Sequence, residues 1–290
     1  ERSGVTGLSR RNLCVGIGAK QVLYNLAEAL LDPGDTIAFP TPYWTTYADI
    51  AAIVGARTLL LPCPPEQDYK LTPSQLDAAL AQKPKVFLFN NPSNPTGMVY
   101  HREEIAALAA VMARHPDTWI ILVDSLSKTY GMPGWRVGVA AAPENVAQAL
   151  TTLNSNHITS LPEVVSAAAA AALSGPQDIP EAQCAGFARK RDVVLDALAK
   201  IPGLRCPRPE GAFYAFPDIS VAFGRTHRPS GRVIGNDVEL CEALLESAGV
   251  ACVPGSAFGE PRALRISYAC PEAPLAEGLR RLQGFFAELD

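Results

Sequence analysis

Asp124-Ser-Leu-Ser-Lys-Thr-Tyr-Gly-Met-Pro-Gly-Trp-Arg136 follows an apolar run, Ile120 to Val123, whose composition predicts a buried strand. Its thirteen residues gather hydroxyl side chains, one lysine, three loop-forming residues and one arginine, which predicts a loop that holds a ligand. A lysine at the end of a buried strand, with an arginine eight residues on, is desolvated and meets a like charge. Both effects lower the pKa of an amine and make it a nucleophile candidate. Ser125 offers a hydroxyl donor and Arg136 a planar guanidinium that can bind two oxygens at once, a pair suited to a phosphate. A lone lysine is usually a solvated surface residue, so the reading of Lys128 rests on the residues around it.

Ser125-Leu-Ser-Lys-Thr-Tyr-Gly-Met-Pro-Gly-Trp-Arg136 resembles the lysine motif of the class I aminotransferases, which are fold type I enzymes using pyridoxal 5'-phosphate (PLP). The resemblance implies an α/β fold, with a mostly parallel central sheet carrying helices on both faces and a smaller α+β domain at the C-terminus. It places a large PLP-binding domain at residues 1–174 and the small domain at 175–290. It also implies that Lys128 forms a Schiff base with PLP while Ser125 and Arg136 hold the cofactor phosphate.

The 290 residues, 48% of them hydrophobic and 19% charged, suffice for one large domain and a smaller one. No run of eighteen apolar residues predicts a membrane span, and Glu1-Arg-Ser-Gly4 does not read as a secretory leader. A net charge of −4 argues against a nucleic-acid surface, which needs clustered Lys and Arg, and favours a small-molecule ligand. The seven cysteines form no C-x-x-C pair and predict packed thiols in a reducing cytoplasm. His101, His115, His157 and His227 lack metal-ligand spacing, so no metal site is expected; His157 reads as part of a surface loop.

Leu13 to Leu31 predicts a short strand, a glycine turn and an amphipathic helix stopped by Asp32-Pro-Gly-Asp35. A glycine turn opening a helix presents free N–H groups and a positive dipole end to an anion. In the family that turn receives the PLP phosphate, which by resemblance assigns Gly18, Ala19 and Lys20. A cation at a helix N-terminus opposes the dipole, so Lys20 needs another gain. In a subgroup that includes aspartate and prephenate aminotransferases, a lysine in Gly-x-Lys-Gln faces the distal carboxylate of a dicarboxylic substrate. Thr36 to Pro40 predicts the next strand, and Thr41-Pro-Tyr-Trp-Thr-Thr-Tyr47 the head of a helix. Trp44 has a flat face for stacking; Pro-Tyr-Trp-x-x-Tyr resembles the element whose aromatic covers the pyridine ring.

Val86-Phe-Leu-Phe-Asn-Asn-Pro-Ser-Asn-Pro-Thr-Gly97 predicts a buried strand ending in a rigid loop at its carboxyl edge, where open α/β sheets bind ligands. It resembles the family's Asn-Pro-x-Asn-Pro-Thr-Gly, in which the second asparagine, here Asn94, bonds the cofactor phenolic oxygen and the substrate carboxylate. Arg102 to His115 predicts a helix and Trp119 to Val123 a strand.

Here the chain departs from the family. Relatives have one strand ending in Asp-x-x-Tyr, whose aspartate pairs with the pyridine nitrogen, and later a second strand leading to Ser-x-Ser-Lys. This chain has one strand for both, and Asp124 stands four residues before the lysine. In one reading Asp124 has taken over the pyridine contact after a deletion. In the other, a segment between about Trp119 and Ile121 is left out of these 290 residues. The second is favoured, because removing a strand and helix from a buried sheet leaves backbone groups unpaired. The family's N-terminal arm and glycine loop, not seen ahead of Leu13, point the same way.

Alanine-rich helices are predicted from Glu144 to Ser174 and a longer one from about Gln177 to Ala199, followed by two strands within 203–217, with Phe213 either lining the pocket or packing in the core. A polar loop over Gly224 to Gly235, a helix over Val238 to Ala248, strands within 249–259 and 262–269 and a terminal helix from Ala273 complete the chain. An arginine inside an apolar strand needs an anion. Leu264-Arg-Ile-Ser-Tyr-Ala269 resembles the family strand whose arginine clamps the substrate α-carboxylate, which assigns Arg265.

Together these resemblances imply a homodimeric PLP-dependent aminotransferase that moves an amino group between an amino acid, aspartate first, and a 2-oxo acid such as 2-oxoglutarate. A PLP-dependent lyase or decarboxylase, a ligand-sensing regulator and a catalytically dead paralogue are the alternatives that share the motif.

Overall fold

The computed structural model describes residues 6–290, so the reading of Glu1–Gly4 lies outside the described residues. The elements in order are β1 (Leu13–Ile17), α1 (Ala19–Leu30), β2 (Thr36–Thr41), α2 (Thr46–Ile53), β3 (Arg57–Pro62), α3 (Pro73–Leu80), β4 (Val86–Phe87), α4 (Arg102–Met112), β5 (Leu122–Ser125), α5 (Leu126–Thr129) and β6 (Val137–Ala141). They are followed by α6 (Glu144–His157), α7 (Glu163–Ser174), α8 (Asp178–Leu198), β7 (Tyr214–Ala215), β8 (Thr226–His227), β9 (Arg232–Val233), α9 (Asp237–Ala243), β10 (Val253–Pro254), β11 (Leu264–Ser267) and α10 (Glu272–Ala287).

Strands pair in the order β3-β2-β4, all parallel, and β1-β6-β5, in which β6 runs against both neighbours. Parallel pairing therefore holds as the sequence predicts, with β6 the reversed strand. The second group packs Cys14, Ala140 and Val123 against Val22 and Leu26 of α1 and Val146, Ala147 and Leu150 of α6. Burying each of these larger aliphatic side chains contributes roughly 1.5–3 kcal/mol. A separate apolar core gathers Val194 and Leu198 of α8 with β7, β11, α9 and α10, including Tyr268, Leu279 and Phe285.

The stretch over 119–125 is where expectation and structure differ most. Trp119 bridges to Val86 in parallel, with its N–H donating to Lys85 O (2.9 Å) and its carbonyl accepting from Phe87 N (3.2 Å). Three residues later Leu122–Ser125 lies antiparallel on β6, with Asp124 opposite Val139 and Ser125 opposite Gly138. Within these 290 residues one stretch serves two neighbours, Trp119 bordering β4 and Leu122–Ser125 pairing with β6.

Two smaller corrections concern local structure. The predicted polar loop over 224–235 contains the β8–β9 hairpin, which is tied to the C-terminal end by Arg228 N donating to Glu288 O (3.0 Å). His157 is exposed as expected but closes α6 rather than sitting in a loop, with Nδ1 3.3 Å from Asn25 Oδ1.

A polar network crosses the α1–α6 core and holds the turn before α1. Asn154 Oδ1 accepts from Gln21 Nε2 (2.7 Å) and Asn25 Nδ2 (2.8 Å), and Asn154 Nδ2 donates to Val15 O (2.9 Å). Gln21 Oε1 in turn accepts from Ile17 N (3.1 Å). Asn154→Leu strands buried donors and is expected to destabilise the fold by on the order of 2–4 kcal/mol, seen as a lowered urea midpoint. An unchanged midpoint would show that the network has no net structural role.

Candidate active site

The turn into α1 is shaped by two glycines. Gly18 has φ 87°, in the left-handed region, and a Cβ there would collide with Nη2 of Arg136. Gly138 on β6 passes so close beneath that its Cβ would collide with the backbone of Gly18 and Ala19. The N-terminus of the twelve-residue helix α1 is thereby brought against the Arg136 guanidinium, whose Nη1 donates to Pro133 O (2.8 Å). Ser125, at the end of β5, accepts from Ser127 N through Oγ (3.0 Å).

These groups open onto a cavity of about 700 Å³. Of the residues selected from sequence, Ala19, Lys20, Trp44, Asn94, Ser125, Lys128 and Arg136 all line it. Gly18 is buried directly behind this wall, and Arg265 reaches it through Asn94, whose Oδ1 accepts from Arg265 Nη1 (3.0 Å). The Lys128 Nζ lies 5.2 Å from the centre of the Phe213 ring, and Lys20 Nζ lies 5.3 Å from that of Trp44. Lys128 is exposed, so the burial invoked for it from sequence is not found. Phe213 lines the cavity and also packs against the C-terminal core, so both sequence readings of it hold.

Arg265 is boxed between Tyr214 and Phe258, with ring centres 4.5 and 4.9 Å from its guanidinium carbon. Burial pulls this guanidinium below its ordinary pKa, and its Nε is buried with no hydrogen-bond partner among the described residues. A buried cationic donor left open in this way fits an incoming carboxylate.

Several lining residues were not selected from sequence. Pro180, Gln183, Cys184, Phe187, Ala188 and Arg191 come from one face of α8. Their three-and-four spacing is the signal that was available, although a mixed polar and apolar stripe reads as a surface face. Cys184 is an exposed thiol, which corrects the expectation that all cysteines are packed; Cys63 is buried, and desolvation pushes its thiol up to about 12. Among the described residues Glu210 is the one acidic side chain lining the cavity, and it pairs with His101 Nε2 at 3.0 Å. Asp124 does not line it: it is exposed, and its Oδ1 accepts from Ser125 N (2.7 Å). Adjacent strand residues face opposite ways, so Ser125 lines the cavity and Asp124 does not. Four lining cations against one acid favour anionic ligands.

A fold of this kind with a lysine, a phosphate-type turn and a caged arginine around one cavity defines an enzyme of the aminotransferase class. The family model described as aminotransferase class I and II matches residues 1–124 and again 113–282, so that 113–124 fall in both matches. The chain belongs to this family. An aspartate/prephenate aminotransferase of Cereibacter sphaeroides is 39% identical over 319 aligned positions, covering 100% of this chain and 80% of that protein. An aspartate aminotransferase of Rhizobium meliloti is 39% identical over 301 positions, covering 93% of this chain and 73% of its own length. The crystal structure of the Rhizobium meliloti aspartate aminotransferase superposes with a TM-score of 0.92 at 37% identity, covering 97% of this chain and 77% of that one. A Thermus thermophilus aspartate aminotransferase with maleate superposes at 0.88 and 30% identity, covering 98% of this chain and 78% of that one. The chain is a PLP-dependent aminotransferase acting on amino acids and 2-oxo acids. Among the described residues no cluster fit for a metal ion is found, and no helix is long and apolar enough to cross a membrane.

Proposed function

We propose that this chain transfers the amino group of aspartate to 2-oxoglutarate, with Lys128 as the residue that carries PLP and moves the proton at the substrate α-carbon. The observation that carries the reading is the buried, unpartnered Nε of Arg265, whose Nη1 donates to Asn94 in the lining of a cavity that Lys20 also lines. The bound cofactor supplies an electron sink for the substrate α-carbon. The phosphate end is met by Gly18, Ala19, Ser125 and Arg136, a fit supported by the cradle that a Cβ at Gly18 would fill. Trp44 supplies the stacking face, and Asn94 the polar contact to cofactor and substrate. Arg265 and Asn94 hold the α-carboxylate, while Lys20, carried on α1, selects a second carboxylate. The maleate named with the Thermus thermophilus structure is such a dicarboxylate. The reading also takes residues 1–174 and 175–290 as two domains, the chain as a homodimer and its location as cytoplasmic, the first supported by the separate core of α8 to α10.

The test is a donor panel in a coupled assay. L-Aspartate with 2-oxoglutarate is expected to exceed aromatic donors and L-alanine, and Lys20→Gln is expected to raise KM for aspartate about tenfold while leaving aromatic donors unchanged. Equal losses for both donor classes would remove Lys20 from side-chain selection. A panel in which aspartate is not preferred would remove the substrate assignment.

A further inference from the structure

Glu210 runs against the charge of its surroundings, since the cavity lining otherwise carries Lys20, Lys128, Arg136 and Arg191. Resting on the aspartate reading above, the ligands that enter are dicarboxylates, and an uncompensated carboxylate in the wall repels them. The backbone fixes it in place. Glu210 N and Gly211 N both donate to Gly97 O (3.0 and 2.9 Å), three residues beyond Asn94. The segment then runs on into Phe213 and Tyr214, which line the same cavity.

The compensating charge comes from His101, the residue that precedes α4, whose Nε2 lies 3.0 Å from Glu210 Oε2. The loop that carries Asn94 also holds the approach to His101: Asn91 Oδ1 accepts from Tyr100 N (2.9 Å), and Asn91 Nδ2 donates to Tyr100 O (3.2 Å). Two further charges bear on the imidazole. Glu104 accepts from His101 N through Oε2 (2.8 Å), and Lys70 Nζ donates to both Glu104 oxygens at 3.0 Å, so these two offset one another. The charge of His101 is left to set against that of Glu210. Their side chains are 55% and 41% exposed, and a pair this exposed adds little to the stability of the fold. Its consequence is the field inside the cavity.

We infer that His101 sets the affinity of the cavity for dicarboxylates by acting through Glu210. As an imidazolium it cancels the Glu210 charge and leaves the lining cations unopposed. As a neutral imidazole it keeps the hydrogen bond and leaves the carboxylate charge facing the substrate. Imidazole is the side chain that changes charge in the neutral range, so affinity for a dicarboxylate falls as pH rises. A donor whose one carboxylate is balanced by its own ammonium feels the change far less. His101 is a positioning residue in this scheme, because it touches Glu210 and not the substrate.

The test measures KM for L-aspartate and for L-alanine at about pH 6.5 and about pH 8.5, with 2-oxoglutarate saturating, in the PLP-loaded protein, Glu210→Gln and His101→Asn. Taking the ratio of the aspartate KM to the alanine KM removes any titration that both donors share. In the unmodified protein the ratio is expected to rise about three- to fivefold between the two pH values, and to rise less at high salt. Glu210→Gln is expected to hold the ratio at its low-pH value throughout, and His101→Asn at its high-pH value. A ratio that keeps its pH dependence in either variant would overturn the inference. So would equal KM losses for both donors in His101→Asn together with a lowered urea midpoint, which would make the pair purely structural. A protein that transaminates alanine but accepts no aspartate at either pH would overturn the aspartate reading beneath, and this inference with it.

Discussion

Lys128→Ala is expected to lose the visible absorbance band that PLP acquires on binding the unmodified protein and to reduce transamination by at least about ten-thousand-fold. The amine has two jobs in the proposed site: it attaches the cofactor and it moves the proton at the substrate α-carbon. No neighbour can take over either. The other lining lysine, Lys20, sits on α1 with its Nζ 5.3 Å from the Trp44 ring centre, and the remaining lining cations, Arg136 and Arg191, are guanidiniums, which are poor nucleophiles. Lys128 is exposed at the cavity wall, so alanine there removes little packing, and an unchanged urea midpoint separates chemistry from folding. Residual activity within tenfold of the unmodified protein would remove Lys128 from the reaction.

Arg265→Leu is expected to lower kcat/KM for every amino-acid donor by roughly 30-fold to several-thousand-fold, because truncating one partner of a buried, hydrogen-bonded charge pair costs about 2–5 kcal/mol. Unlike Lys20→Gln, the loss does not depend on the donor side chain, since all donors carry the α-carboxylate. Tyr214 and Phe258 enclose the guanidinium at 4.5 and 4.9 Å and form an apolar box that leucine can occupy. Removing a desolvated cation that lacks a full set of partners does not destabilise the fold by itself. Arg265→Lys is expected to recover little, because a point charge cannot reproduce the two-pronged contact. A donor-dependent loss would place Arg265 at the side chain instead.

The chemistry was legible where it is local. The run from Asp124 to Arg136 carries strand end, hydroxyl, lysine and guanidinium within one loop, and Gly18 to Lys20 announces a turn opening a helix; the structure brings both to one cavity. Arg265 was legible from cost alone, as a charge placed inside an apolar strand. Its aromatic box was not, because Tyr214 and Phe258 lie on different segments that meet only after folding. The contribution of α8 was hidden for a related reason: one face of a helix is periodic in sequence, but whether that face meets solvent or a cavity is decided by what packs opposite. The shared strand was the hardest to read. From sequence the strand reads as Trp119 to Val123, but Trp119 pairs beside β4 while Leu122–Ser125 pair with β6, a division set by neighbours that lie far away in sequence.

The most direct test of the central claim is a half-reaction. The purified chain, loaded with PLP and freed of excess cofactor, is mixed with L-aspartate and no 2-oxo acid acceptor, and the bound absorbance band and released oxaloacetate are followed together. The account predicts that the band shifts and that one oxaloacetate appears per Lys128-bound cofactor and no more, until 2-oxoglutarate is added. A band that stays unchanged with no oxaloacetate released would contradict it.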